Sequence, residues 1–195
     1  MTATLPHLTS PLSADDQYQM YMDVLDRDSR TVPDVYRIKS PFPEVSMTVP
    51  ASRYTSREFH DLEVEKVWKK VWQMACRLEE IPEIGDWVEY RILDKSVIVV
   101  NTKNGVKAFH NACRHRGVRL ATGPGNCAKT GFICPFHGWR WNIDGENTFV
   151  YGRHMFNEGL LDPAELALKP CRLETWGGCA FINFDNDAPS FRDTI

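Results

Sequence analysis

Two short stretches place soft thiols and imidazoles within a few residues of each other: Cys113 and His115 in "NACRHRGVRL", and Cys134 and His137 in "CPFHGW". A ligand pair two or three residues apart suits a tight loop that points both side chains at one centre. Two such loops side by side would enclose a compact metal cofactor. Structural zinc on a Cys2His2 set is one use of these residue types. Zinc fingers, however, usually pair Cys with Cys and His with His, whereas each loop here supplies one of each. Mixed pairs suit a two-metal cluster in which one iron takes both thiolates and the other both imidazoles.

That is the ligand pattern of a Rieske [2Fe–2S] centre, where two His replace two Cys on one iron. The wider motif, "CRHRG", sixteen intervening residues and "CPFHGW", resembles that of the ring-hydroxylating non-haem iron oxygenases in their α (large) subunit. Arg116, Gly117, Pro135, Gly138 and Trp139 stand in matching places. The flanking "VWKKVWQMACRLEEIPEIGDWVEY", "NGVKAFHNAC" and "WNIDGE" are similar too, so the resemblance spans roughly residues 50–185.

The resemblance implies that Cys113 and Cys134 hold one iron of a single [2Fe–2S] cluster and His115 and His137 the other. Neutral imidazoles in place of thiolates remove negative charge and raise the potential to roughly −150 to +300 mV. A reductase or ferredoxin would supply single electrons. Neighbouring oxygenase subunits, in a homotrimer with or without β subunits, would receive them where a cluster His meets a carboxylate across the subunit boundary. The parent reaction is hydroxylation of an aromatic or similar hydrophobic substrate with O2. It needs a mononuclear Fe(II) on two His and one carboxylate, expected only in a catalytic domain that this chain lacks. The other histidines, His7, His60, His110 and His154, stand singly. The chain ends at "SFRDTI", where the family continues, which suggests a truncated product, a split subunit or a fragment that passes electrons but cannot hydroxylate alone. Rieske proteins of cytochrome bc complexes carry an extra Cys in each loop. Val118 and Phe136 occupy those places here, which excludes that subclass. A free-standing Rieske ferredoxin is the alternative, disfavoured by a Trp-rich helix at 56–73 and a Pro-rich arm that a compact ferredoxin would not carry.

Gly117 and Gly138, each just after a ligand pair, suit tight turns or the approach of backbone N–H groups to sulfur. Trp139 and Trp141 alternate on a strand, one of them a candidate shield for the cluster and both candidates for the core. Arg114 and Arg116 are either docking charges for an acidic donor or a solvated face. Cys76, Cys127, Cys171 and Cys179 read as buried thiols without a ligand role.

These loops need a β framework, and the pattern supplies one. "DWVEYRIL", "SVIVVNT", "VKAFHNA", "GFICPF", "WRWNI", "KPCRLETW" and "CAFINF" read as seven short strands. Asn104-Gly105, Asp144-Gly145 and Gly177-Gly178 mark turns. The fold class is mainly β with flanking helices, a small antiparallel β-sandwich or partial barrel. Upstream, Thr55 and Glu58 suggest a capping box. Val64, Val67, Trp68, Val71, Trp72 and Ala75 form an amphipathic stripe, predicting a helix over 56–73 with its Trp pair in the core. "DPAEL" at 162–166 is a second helix start. Six of the twelve prolines fall in the first fifty residues, an extended arm with a short helix around 14–27. The expected organisation is the arm (1–50), the Rieske domain (51–185) and the start of a linker (186–195).

The 195 residues carry a net charge of −3 and 43% hydrophobic content, enough for one sizeable core. There is no basic stripe for nucleic acid and no polybasic patch for lipid. The longest aliphatic run, Val97–Val100, is far short of a membrane span. No Lys or Arg precedes Arg27 and no export signal is evident, so six cysteines in a chain of this size point to a reducing compartment, the cytoplasm.

Overall fold

The computed structural model describes residues 13–39 and 49–195, which divide into two compact units, one up to Tyr54 and one from Thr55. The prolines at 6, 11, 41 and 43 lie outside the described residues. In the first unit, helix α1 (Ala14–Asp26) falls where the spacing predicts one. Ser13 caps it by accepting from the Asp16 backbone N–H, and the Asp16 carboxylate accepts from the Ser13 backbone N–H in return. The Tyr18 hydroxyl donates to the Arg37 carbonyl at 2.7 Å, tying the helix to the turn that follows. A helical turn, α2 (Ser52–Thr55), leads towards the second unit.

The predicted helix over 56–73 is much shorter. Helix α3 (Arg57–Glu63) gives way to a π-helical turn at Val64–Trp68, and strand β1 (Gln73–Arg77) begins where the helix was expected to end. Its cap is Ser56, whose hydroxyl accepts from the Phe59 N–H at 3.1 Å, rather than a Thr55–Glu58 box. The Gln73 side-chain amide donates to the Trp68 carbonyl at 2.7 Å and gives the last turn a partner. The stripe is accordingly only half-buried. Trp72 donates from its indole to the Pro189 carbonyl and meets Phe191 edge-on at 6.0 Å, so its neighbours are C-terminal residues.

All seven expected strands are present, and three more join them. Strand β1 lies at the edge of a three-stranded antiparallel sheet in the order β1-β10-β9, with β9 (Arg172–Trp176) and β10 (Cys179–Asn183) joined through Gly177-Gly178. A four-stranded sheet runs β4-β3-β2-β5, made of β2 (Asp86–Ile92), β3 (Lys95–Thr102), β4 (Gly105–His110) and β5 (Pro124–Asn126). The third sheet is the small meander β6 (Phe132–Ile133), β7 (Arg140–Trp141) and β8 (Asn147–Phe149). Two short helices, α4 (Pro163–Leu166) and α5 (Phe191–Thr194), complete it. Among the described residues the architecture is antiparallel sheets without a closed barrel, as the strand pattern predicts. Asp162 caps α4 with Pro163 in the first turn.

The core has two halves separated by β3. Alternate residues of this strand, buried on both faces, feed each half: Ile98 and Val100 one, Val97 and Val99 the other. The first half includes Cys113, Cys134, Trp139, Trp141, Phe132 and Phe109. The two candidate loops are therefore anchored at their cysteines in the same half of the core as Ile98 and Val100 of β3. Among the described residues, no helix is long and apolar enough to cross a membrane.

Candidate metal centre

The first candidate loop follows β4 and the second joins β6 to β7. The same backbone hydrogen bonds close both. Cys113 N–H donates to the Val118 carbonyl and Gly117 N–H donates back to the Cys113 carbonyl, each at 2.8 Å. Cys134 N–H donates to the Trp139 carbonyl at 2.8 Å, and Gly138 N–H to the Cys134 carbonyl at 3.0 Å. The fifth residue of each turn is left-handed, with φ +70° at Gly117 and +68° at Gly138, a conformation L side chains resist. A Cβ at either would meet no protein atom within 4 Å, so the glycines serve backbone conformation rather than space. Gly117→Ala and Gly138→Ala are each expected to cost about 1–2 kcal/mol, measurable as a fall in urea midpoint with an unchanged slope.

The loops bring the four candidate residues together as two pairs. The Nδ1 atoms of His115 and His137 lie 3.1 Å apart. The thiols of Cys113 and Cys134 face each other in the protein interior, both at least 96% buried. Burial raises the Cys113 pKa, and the neighbouring Cys134 thiol adds to the rise. The backbone N–H groups of His115 and Arg116 oppose it by donating to the Cys113 sulfur. Burial, helped by the charges of Arg116 and His137, lowers the His115 pKa and favours the neutral, ligating imidazole. Among the described residues, no three such side chains gather round a single point. A pair of thiols and a pair of imidazoles, one of each from either loop, supply the donor types of a two-iron cluster with mixed ligation.

The surroundings resolve the residues left open by the sequence. Trp139 stacks on the His115 imidazole, centroids 4.8 Å apart and planes 12° from parallel, while Phe156 meets both rings edge-on. Trp141 is fully buried behind it and donates to the Leu166 carbonyl at 2.7 Å. Arg114 is half-buried, and its guanidinium donates to the Glu165 carbonyl at 2.9 Å. Arg116 is exposed. Burial pushes the thiols of Cys76, Cys127 and Cys171 up to about 11, consistent with inert core sulfurs.

Sequence reasoning missed the polar brace under the first loop. Asn111 donates to the Ala121 carbonyl at 2.7 Å and the Ser96 hydroxyl at 2.9 Å, and accepts from the N–H groups of Leu120 and Ala121. Ser96 in turn donates to Glu89 at 2.6 Å, a carboxylate whose side chain is 4% exposed. Glu89 occupies a strand position that the alternating pattern would assign to solvent, and only the loop folding over it explains its burial.

Residues 71–150 match the family model described as the Rieske [2Fe-2S] domain. The carnitine monooxygenase oxygenase subunit of Escherichia coli (strain K12) is 34% identical over 154 residues, 78% of this chain and 40% of that protein. The chloroplastic choline monooxygenase of Spinacia oleracea is 35% identical over 144 residues, 73% of this chain and 32% of that protein. The solved structure of naphthalene 1,2-dioxygenase from Rhodococcus sp. bound to indole gives a TM-score of 0.70 at 28% identity, covering 92% of this chain and 38% of that one. The chain thus spans two fifths or less of the length of these proteins. Paired thiols and paired imidazoles thus sit on two loops of matching build within a Rieske [2Fe–2S] domain at residues 71–150, and over this region the chain is similar to Rieske oxygenase α subunits.

Proposed function

We propose that this chain is the electron-relay part of a Rieske monooxygenase acting on quaternary ammonium compounds. Cys113 and Cys134 hold one iron, and His115 and His137 the other. The single observation that carries the assignment is the convergence of two Nδ1 atoms 3.1 Å apart from loops 22 residues apart in sequence. When bound, the cluster supplies one-electron storage at a potential above that of all-cysteine clusters. The protein bends the two loops, keeps the thiols dry, directs N–H groups at the Cys113 sulfur and holds His115 neutral.

The aromatic substrate implied by the motif alone gives way here to a quaternary ammonium one, because the relatives at 34–35% identity are carnitine and choline monooxygenases. The electron donor is a reductase or ferredoxin. The acceptor is a mononuclear Fe(II) site in a catalytic domain, within an assembly of neighbouring subunits. Residues 51–185 are the Rieske domain, with 1–50 as its arm. Six free cysteines are compatible with work in the cytoplasm.

Anaerobically purified chain, reduced with dithionite, is expected to give a rhombic [2Fe–2S] EPR signal with equal iron and acid-labile sulfide. Bound zinc and EPR silence would defeat the assignment. With a reductase and NADH the chain alone should be reduced without substrate-dependent oxygen uptake. Added in trans, the catalytic domain of a carnitine monooxygenase should reoxidise the reduced chain faster than that of a naphthalene dioxygenase, and the reverse order would restore the aromatic assignment.

A further inference from the structure

The two imidazoles at the centre are held very differently. His137 has Phe136 beside it, at a centroid distance of 4.0 Å, but Phe136 is itself 58% exposed. His115 is covered by Trp139, 3% exposed, in near-parallel contact at 4.8 Å. Phe156 closes the edge of both rings, at 6.2 Å from His115 and 5.7 Å from Trp139. Trp139 also joins the two loops to each other. Its backbone carbonyl closes the second loop by accepting from Cys134 N–H, while its side chain lies on the imidazole of the first.

We propose that Trp139 is a positioning residue for the cluster: its stacked indole fixes the plane of the His115 imidazole, keeps water from it, and thereby lowers the reduction potential. The proposal rests on the ligand assignment above. The direction follows from charge. Two ferric ions, two sulfides, two thiolates and two neutral imidazoles sum to zero, and the reduced cluster carries one negative charge. An aromatic face presents negative potential, which opposes that added charge. Excluding water also removes solvation that the charged, reduced form would gain more than the neutral one. Both effects favour the oxidised state, so removing the indole raises the potential.

The test compares Trp139→Leu, Trp139→Phe and Trp141→Phe in the full 195-residue chain, by EPR-monitored redox titration and thermal melting. Trp141 supplies the control, being equally buried but 6.5 Å behind Trp139 and not in ring contact with His115. Trp139→Leu is expected to raise the midpoint by about 59 mV, a tenfold change in the oxidised-to-reduced ratio for one electron, and to alter the rhombic g-values. Trp139→Phe keeps a π face and should shift both in the same direction by less. Trp141→Phe should lower the melting temperature while leaving midpoint and g-values at wild-type values. If Trp139→Leu does not accumulate, the contrast between the two phenylalanine variants decides. Wild-type midpoint and g-values in the Trp139 variants, or equal shifts in Trp141→Phe, would overturn the positioning role while leaving the ligands as assigned. A wild-type chain without the rhombic signal would overturn the ligand assignment and this proposal together.

Discussion

Replacing His137 with alanine is expected to strip the chain of its cluster: iron and acid-labile sulfide should fall from stoichiometric to a small fraction, and the visible absorbance with them. Loss of an outer-sphere partner alone typically costs 10–100-fold in metal affinity, so deletion of a ligand should cost more. The geometry sharpens the expectation. His137 and His115 are brought within 3.1 Å by two separate loops, and among the described residues no group of three or more ligating side chains gathers round a single point to offer a substitute site. Cys171→Ser is the matched control. Its thiol is buried, pushed up to about 11, and donates to the Asn183 carbonyl within the core half that lacks the loops. That variant should keep its iron. Full iron and sulfide in His137→Ala, with the EPR signal unchanged, would remove His137 from the ligand set.

Much of this site is legible in the amino-acid sequence because its chemistry is local. Each ligand pair sits within four residues, and the glycine that closes each turn follows within two, so spacing alone encodes the two loops. The seven strands are legible for a similar reason, since period-two runs end at Gly-containing turns whose conformations are fixed by one or two residues. What fails to show is whatever depends on a partner distant in sequence. Strand β5 reads "PGN" and β8 "NTF". Neither has strand character of its own, and each is extended because β2 or β7 offers an open edge. Strand β1 is hidden inside a helical stripe. Its burial does not alternate, because the register slips between Met74 and Cys76 where it pairs with β10. The same holds for the supports of the centre. Glu89, Asn111 and Glu165 are ordinary polar residues in the sequence, and become braces only once loops fold over them. The substrate class is illegible for another reason: the motif is a property of the cluster, and no residue in it needs to touch the molecule being oxidised.

Trp141→Ala should be the most destabilising of these changes, costing about 3–5 kcal/mol for the emptied volume and about 1–3 kcal/mol more for the orphaned Leu166 carbonyl. Against a typical total of about 5–15 kcal/mol for a domain, the variant stands near the threshold of folding, and chemical denaturation of the purified chain measures the loss directly. The reason is position. Trp141 pairs with Phe132 across β6 and β7, packs behind Trp139, and ties α4 to the meander through its indole N–H. That helix holds the Glu165 carbonyl to which Arg114 of the first loop is bound. The second loop springs from the same hairpin. A cavity at Trp141 therefore loosens both loops from beneath, and the variant should lose cluster as well as stability, whereas Trp141→Phe, which keeps most of the volume, should lose only stability. A cost below about 1 kcal/mol for the alanine variant would mean that the meander collapses onto the gap without strain, and the loops would then owe their spacing to the brace at Asn111 and to the cluster itself rather than to this core.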